Sequence, residues 1–271
     1  NRVILATDGD FNVGVSSDGE LVRMIEEKRA TGIYLTVLGF GTGNLKDSRM
    51  EKLADKGNGN YAYIDNIMEA KKVLVNEMGG TLYTVANDVK IQIEFNPAKV
   101  SSYKLIGYEN RMLKSRDFND DKKDAGEIGS GHNVTALYEI VPVEVDDQEI
   151  SIDPLKYQTS QVKASGNELL TLKVRYKFPG LDKSELLVST VKDKNSNFKE
   201  ASEDFRFASA VAMFGLILRK SKFKGESNYK MTSEIARAAK GLDNDGYRSE
   251  FIRLVDLAAE LDDTRTIGNN N

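Results

Sequence analysis

The run Val3-Ile4-Leu5-Ala6, followed at once by Thr7-Asp8-Gly9-Asp10-Phe11-Asn12, constrains the fold of this chain more than any other stretch. An unbroken apolar segment suits a strand covered on both faces of a parallel sheet, and the abrupt polar turn marks its carboxyl end. Ligands of open α/β sheets gather at such ends. There Thr7 offers a hydroxyl, Asp8 a carboxylate and Gly9 a flexible backbone, a set that suits a hard divalent cation taking oxygen ligands. The same tripeptide also reads as an Asp-Gly turn leading into a helix.

Composition limits the chemistry. The chain has no cysteine and a single histidine, His132, so thiol nucleophiles, disulfides and multi-histidine metal sites are excluded together. No Gly-x-Ser-x-Gly or His-Glu-x-x-His surrounds His132, which leaves ordinary hydrolase mechanisms without their usual residues. With 38 basic residues scattered among 42 acidic ones there is no basic stripe of the kind nucleic-acid binding needs. No apolar run approaches the ~20 residues of a membrane span. The sequence opens at Asn1 and enters a strand within two residues, so the natural protein is expected to begin upstream, where an export or anchoring signal would lie.

After the first strand, residues 19–29 carry Leu21, Val22, Met24 and Ile25 among charged neighbours, a surface helix ending near Gly32. Ile33 to Leu38 is a second buried strand, and Gly39 to Asn44 a flexible loop on the same sheet edge as Asp8. That loop reads equally as a surface beside a metal and as a plain strand-to-helix turn; it lacks the spacing of a phosphate cradle. Residues 45–56 fit a helix, 60–64 a third strand, and 67–78 a helix with Ile67, Ala70, Val73 and Leu74 on one face. Successive strand–helix units predict a parallel, doubly wound sheet. Val3 to Ala6 is too apolar for an open sheet edge, so a missing half of the sheet is expected.

Near Val85 the period becomes twofold. Val89, Ile91, Ile93 and Phe95 alternate with Lys90, Gln92 and Glu94; Leu170, Leu172, Val174 and Tyr176 alternate with Thr171, Lys173, Arg175 and Lys177. With further extended stretches at 103–106, 134–143 and 186–191, this region predicts a β-sandwich-like unit. Its loop from Lys114 to His132 holds Asp117, Asp120, Asp121, Asp124 and Glu127. In an EF-hand frame starting at Asp117, however, Lys122 replaces the required Gly and Ile128 the required Glu, so a solvated polar loop is expected. Near Phe198 helical spacing returns, with Phe205, Ala208, Val211, Ala212 and Leu218, then helices over 231–240 and 247–261 and a core stripe of Leu254, Leu257, Ala258 and Leu261. The predicted organisation is a partial doubly wound α/β unit over 1–84, a β-rich unit over 85–197 and a small helical unit over 198–271.

The segments Ile4 to Asn12, Leu38 to Asn44 and Asn58 to Asp65 resemble the second half of a von Willebrand factor type A domain. Residues 103–139, with Leu-Ile-Gly-Tyr-Glu-Asn-Arg at 105–111 and Asp-Ala-Gly-Glu-Ile-Gly-Ser-Gly-His at 124–132, resemble the extension that follows such a domain in a group of bacterial proteins. The resemblance implies a metal-ion-dependent adhesion site. In that site an Asp-x-Ser-x-Ser, a downstream Thr and a Thr-Asp-Gly aspartate gather one Mg²⁺, and a partner's carboxylate completes the shell. Only the last element matches here, with Thr7 and Asp8 as metal residues and Asp10, Phe40 and Asn44 as partner-facing ones; no Asp-x-Ser-x-Ser occurs in the chain.

The resemblance thus implies a non-enzymatic interaction module of a bacterial envelope protein. It would bind another protein through an acidic group, with Mg²⁺ present in the full-length molecule and not held tightly by this chain alone. Two alternatives remain: a metal-assisted hydrolase using His132 with the acidic loop, and a structural assembly component with a vestigial site. The truncated sheet edge further implies self-association or association with the missing N-terminal part.

Overall fold

A computed structural model describes residues 1–8, 17–41, 46–108, 112–123, 125–143 and 167–268. Asp10 and Asn44 lie outside the described residues. The chain is mixed α/β, with a parallel sheet, antiparallel pairings and helices. It divides into two compact units, neither a continuous run of sequence: one holds residues 1–94, 113–134 and 171–189, the other 95–112, 135–170 and 190–271.

In the first unit β1 (Arg2–Thr7), β2 (Tyr34–Phe40) and β3 (Tyr61–Ile64) form a parallel sheet in the order β1-β2-β3. Thr7 pairs with Gly39, and Phe40 with Ile64. Helix α1 (Asp18–Ala30) starts where Ser17 accepts a hydrogen bond from the Glu20 amide and donates one to the Glu20 carboxylate; α2 (Asp47–Lys56) follows β2. Leu21 and Ile25 of α1, Met50, Leu53 and Ala54 of α2 and Val37 of β2 make one buried cluster. A sheet that steps in one direction with right-handed crossovers puts both helices on one face, which explains this shared core. Double winding would need strands on the other side of β1.

β1 itself is the end strand of the described sheet, with Val3 50% and Ile4 40% exposed. The two-sided cover expected from its apolar run is therefore absent among the described residues. The helix expected over 67–78 also differs. An α-helical turn, α3 (Ile67–Lys71), widens into a π-helical turn at Lys72–Asn76 before α4 (Met78–Leu82), and Ile67 is 81% exposed. The wider turn rotates the side chains out of the 3.6-residue register that had put Ile67 and Leu74 on one face.

A second sheet has the order β6-β4-β8-β9, from β4 (Thr84–Phe95), β6 (Gly126–Gly129), β8 (Glu168–Lys177) and β9 (Glu185–Lys192). In β4 the expected alternation inverts locally: Lys90 is 2% exposed and Ile91 45%. The pairing of β4 with β6 is irregular between Ala86 and Val89, and Asp88 takes φ +51°. A bulge of this kind shifts the side-chain phase by one residue.

In the second unit β5 (Val100–Ile106) pairs antiparallel with β7 (Leu137–Pro142), and Phe95, Tyr103 and Tyr138 cluster there. Helices α5 (Glu203–Leu218), α6 (Tyr229–Ala238) and α7 (Tyr247–Gly268) enclose Ala210, Ala236 and Ile252, flanked by Phe207 and Phe251. The faces differ from the expected ones. Phe205, Val211, Leu254, Leu257 and Leu261 are exposed, while Ala210, Ile217, Ile252 and Val255 are buried.

Candidate functional site

The parallel register fixes the carboxyl edge of the first sheet. Thr7 ends β1 beside Gly39, the exposed Asp8 follows it, and the half-buried Phe40 ends β2 beside Ile64. Of the residues singled out by sequence, this brings Thr7, Asp8 and Phe40 to one sheet edge. Tyr63 adds a contact the sequence reading missed. Its hydroxyl donates to the Gly41 carbonyl at 2.9 Å and holds the start of the loop after β2, where Gly41 takes φ +92°. The contact follows from the register that pairs Tyr63 with Gly39, for which the sequence carries no signal.

Thr7 and Asp8 offer one hydroxyl and one carboxylate. Mg²⁺ prefers near-octahedral oxygen geometry and dehydrates reluctantly, so these two do not by themselves make a tight site. Among the described residues no three of His, Cys, Asp and Glu gather as a metal site would require. A metal held firmly at this edge needs further ligands.

At the other end of the same strands lies a polar cluster. The Arg2 guanidinium donates to Thr36 Oγ1 at 3.0 Å, and the Asn58 amide donates to Glu127 at 2.8 Å. Burial draws the Arg2 pKa below its ordinary value even though Glu127 opposes the shift. Gly57 and Gly59 on either side of Asn58 run against β2: a Cβ at Gly59 would stand 1.8 Å from the Leu35 carbonyl oxygen.

The acidic loop is engaged in anchoring. Asp121 accepts from the Ser184 hydroxyl and amide, which hold its carboxyl below the ordinary carboxylate value. Lys177 donates to Asp88 Oδ2 and to the Asp121 carbonyl, both at 2.7 Å, and the buried Lys90 donates to the Asp120 carbonyl at 2.5 Å. Arg175 reaches Ser184 and Asn119. Asp120 caps its own turn by accepting from the Lys122 amide, and Glu127 is bonded to Asn58. Asp124 is outside the described residues. The His132 ring lies on Gly80, where a Cβ would stand 2.4 Å from Cδ2 and Nε2. These contacts fasten the loop to β4 and β8. Among the described residues no helix is long and apolar enough to cross a membrane.

Residues 80–261 match the family model described as "Uncharacterized protein YfbK, C-terminal". The chain is 43% identical over 266 residues to the uncharacterized protein YfbK of Escherichia coli (strain K12), covering 97% of this chain and 45% of that protein. It thus spans less than half the length of the curated relative it matches. Among solved structures it superposes on a von Willebrand factor type A protein from Catenulispora acidiphila with a TM-score of 0.41 and 14% identity, over 94% of this chain and 57% of that one. On the human COPII-coat protein Sec24c the TM-score is 0.40 with 8% identity, over 88% and 32% of the two chains. By the match over residues 80–261, this chain belongs to the YfbK C-terminal family.

Proposed function

We propose that this chain is part of a non-enzymatic protein-interaction module that engages an acidic group of a partner at the carboxyl edge of its parallel sheet. One observation carries the reading: the β1–β2 register sets Thr7 beside Gly39, with Asp8 following β1 and Phe40 ending β2, at an open strand end where α/β sheets take ligands. The resemblance of these segments to a von Willebrand factor type A domain adds a role for Mg²⁺. Thr7 and Asp8 would supply part of its shell, with the rest coming from residues outside the described ones. The engagement of His132 with Gly80 and of the acidic loop with Lys90, Lys177 and Ser184 supports interaction over hydrolysis.

The test uses the full-length protein immobilised and challenged with envelope extract, with Mg²⁺ and with EDTA. Retention of a partner that needs Mg²⁺ and is lost in Asp8→Ala, but not in His132→Gln, is the expected outcome. Retention indifferent to both EDTA and Asp8→Ala sinks the reading. For residues 1–271 alone, titration with Mg²⁺ is expected to show no site tighter than about millimolar, given the two ligands present. Placement at the cell envelope rests on the sequence resemblance, and fractionation of cells checks it.

A further inference from the structure

Helix α7 has two apolar sides. Ile252 and Val255 are buried in the helical unit, whereas Leu254, Leu257 and Leu261 on the other side are 50%, 49% and 57% exposed. Their spacing of three and then four residues is that of a coiled-coil seam. The stripe that reads as core in the sequence is thus left open among the described residues.

Charged residues flank the seam. Arg253 and Glu260, two helical turns apart, share the side next to Leu257. The Arg253 guanidinium lies 3.8 Å from Glu250, a largely exposed contact within one turn that contributes little. Glu260 makes no ion pair among the described residues.

We propose that this face of α7 packs antiparallel against the same face of a second copy of the chain, about a two-fold axis at the level of Asp256. Charge and register choose the occupant. In that pairing Leu254 meets Leu257 of the second copy and Arg253 meets its Glu260, each contact occurring twice, and the opposed helix dipoles attract. At the ends of the contact Leu261 lies against Glu250 of the second copy, whose carboxylate turns to water and to its own Arg253. A parallel pair would set Arg253 against Ala258 and align the dipoles unfavourably, and a shift of one heptad would set Glu260 against Glu260. An anionic membrane would meet Glu250 and Glu260 as well as Arg253, whereas interfacial helices carry a basic flank. One helix pair is a small interface, so a dimer of micromolar strength is expected.

The test is sedimentation velocity of the full chain over a range of concentrations. Wild type is expected to dimerise, and Leu257→Glu to abolish that dimer. Arg253→Glu and Glu260→Arg each turn two attractions into two repulsions, so each should weaken self-association about tenfold. Mixing the two single variants, or joining both changes in one chain, should restore it, because opposite charges then face each other again. All three positions are exposed, and circular dichroism checks that the variants keep their helices. Pairing through the β1 edge is blind to charge on α7 and drops out of the comparison. Self-association equal in all variants, or no rescue in the mixture and the double variant, overturns the proposal. So does a chain that stays monomeric, whether or not it binds phosphatidylglycerol vesicles through Leu257.

Discussion

Lys177 on β8 places its ammonium 2.7 Å from Oδ2 of Asp88, the β4 residue whose backbone takes φ +51°. Both side chains are mostly buried, and the Asp88 carboxylate also accepts from the Ala125 amide. One ion pair thus joins the bulge, the neighbouring strand and the loop.

Breaking that pair should be expensive, because the surviving charge stays buried. Lys177→Met is expected to cost about 3 kcal/mol by urea unfolding, and the Asp88→Asn/Lys177→Met double variant less than the sum of the singles. The hydrogen bond to Asp88 is the main cause that raises the Lys177 pKa above its ordinary 10.5. A raised native pKa gives stability that is fully present below pH 10.5 and is lost as pH rises through the higher native value. The stability gap between wild type and Lys177→Met should therefore narrow above pH 10.5. A gap that is flat into the alkaline range would show that the pair contributes no linkage.

Two glycines should respond in opposite directions. A Cβ at Gly59 would stand 1.8 Å from the Leu35 carbonyl oxygen, whereas one at Gly79 in α4 meets nothing within 4 Å. Gly59→Ala must move backbone and is expected to cost more than about 3 kcal/mol. Gly79→Ala should gain about 0.5–1 kcal/mol from helix propensity. Thermal melts of the two variants, read against wild type, check both signs.

Asp243 secures the start of α7, accepting from the Arg248 and Ser249 amides and the Ser249 hydroxyl. Burial pushes its carboxyl up, but these donors outweigh it and the pKa lies below the ordinary 3.8. The contribution is thus present above pH 3.8 and lost as pH falls through the native value. Asp243→Ala is expected to cost about 1 kcal/mol at neutral pH, like other lost caps, and less in acid. Equal cost in paired unfolding curves at neutral and strongly acid pH would show that the carboxylate acts without its charge.

How much of this was legible in the sequence depended on whether local pattern and packing agreed. α1 was readable because Leu21, Val22, Met24 and Ile25 stand among charged neighbours at helical spacing, and Leu21 and Ile25 are buried; its Ser17 cap was seen only in the structure. α5 was readable as a helix but not as a face. Its sequence Glu-Asp-Phe-Arg-Phe-Ala-Ser-Ala-Val-Ala-Met-Phe-Gly-Leu-Ile-Leu is apolar nearly all round, so periodicity alone could not choose Ala210 and Ile217 over Phe205 and Val211. In β4 the period was right and the phase failed only at Lys90 and Ile91, with Glu94 exposed and Phe95 buried as expected; the failure lies next to the bulge at Asp88, a tertiary decision joined to Lys177 and Ala125 far along the chain. At the candidate site the sequence located Thr7, Asp8 and Phe40 on one edge, since strand ends follow from strand assignment. The Tyr63 bond to Gly41 depends on pairing register, which one strand's sequence does not carry.

β1 is the end strand among the described residues, with Val3 and Ile4 on opposite faces, both well exposed, so its outer edge presents apolar side chains beside backbone donors and acceptors. Such an edge templates pairing with another strand unless a charge or a proline blunts it, and neither occurs between Val3 and Thr7. Residues 1–271 in isolation are therefore expected to associate with rising concentration in multi-angle light scattering, and Val3→Lys or Ile4→Lys should suppress that association. Where a further parallel strand occupies this edge, the same substitutions should lower stability instead of the tendency to associate. An isolated chain that stays monomeric at all concentrations, with the Val3 to Thr7 amides exchanging freely, would contradict the association expected of residues 1–271.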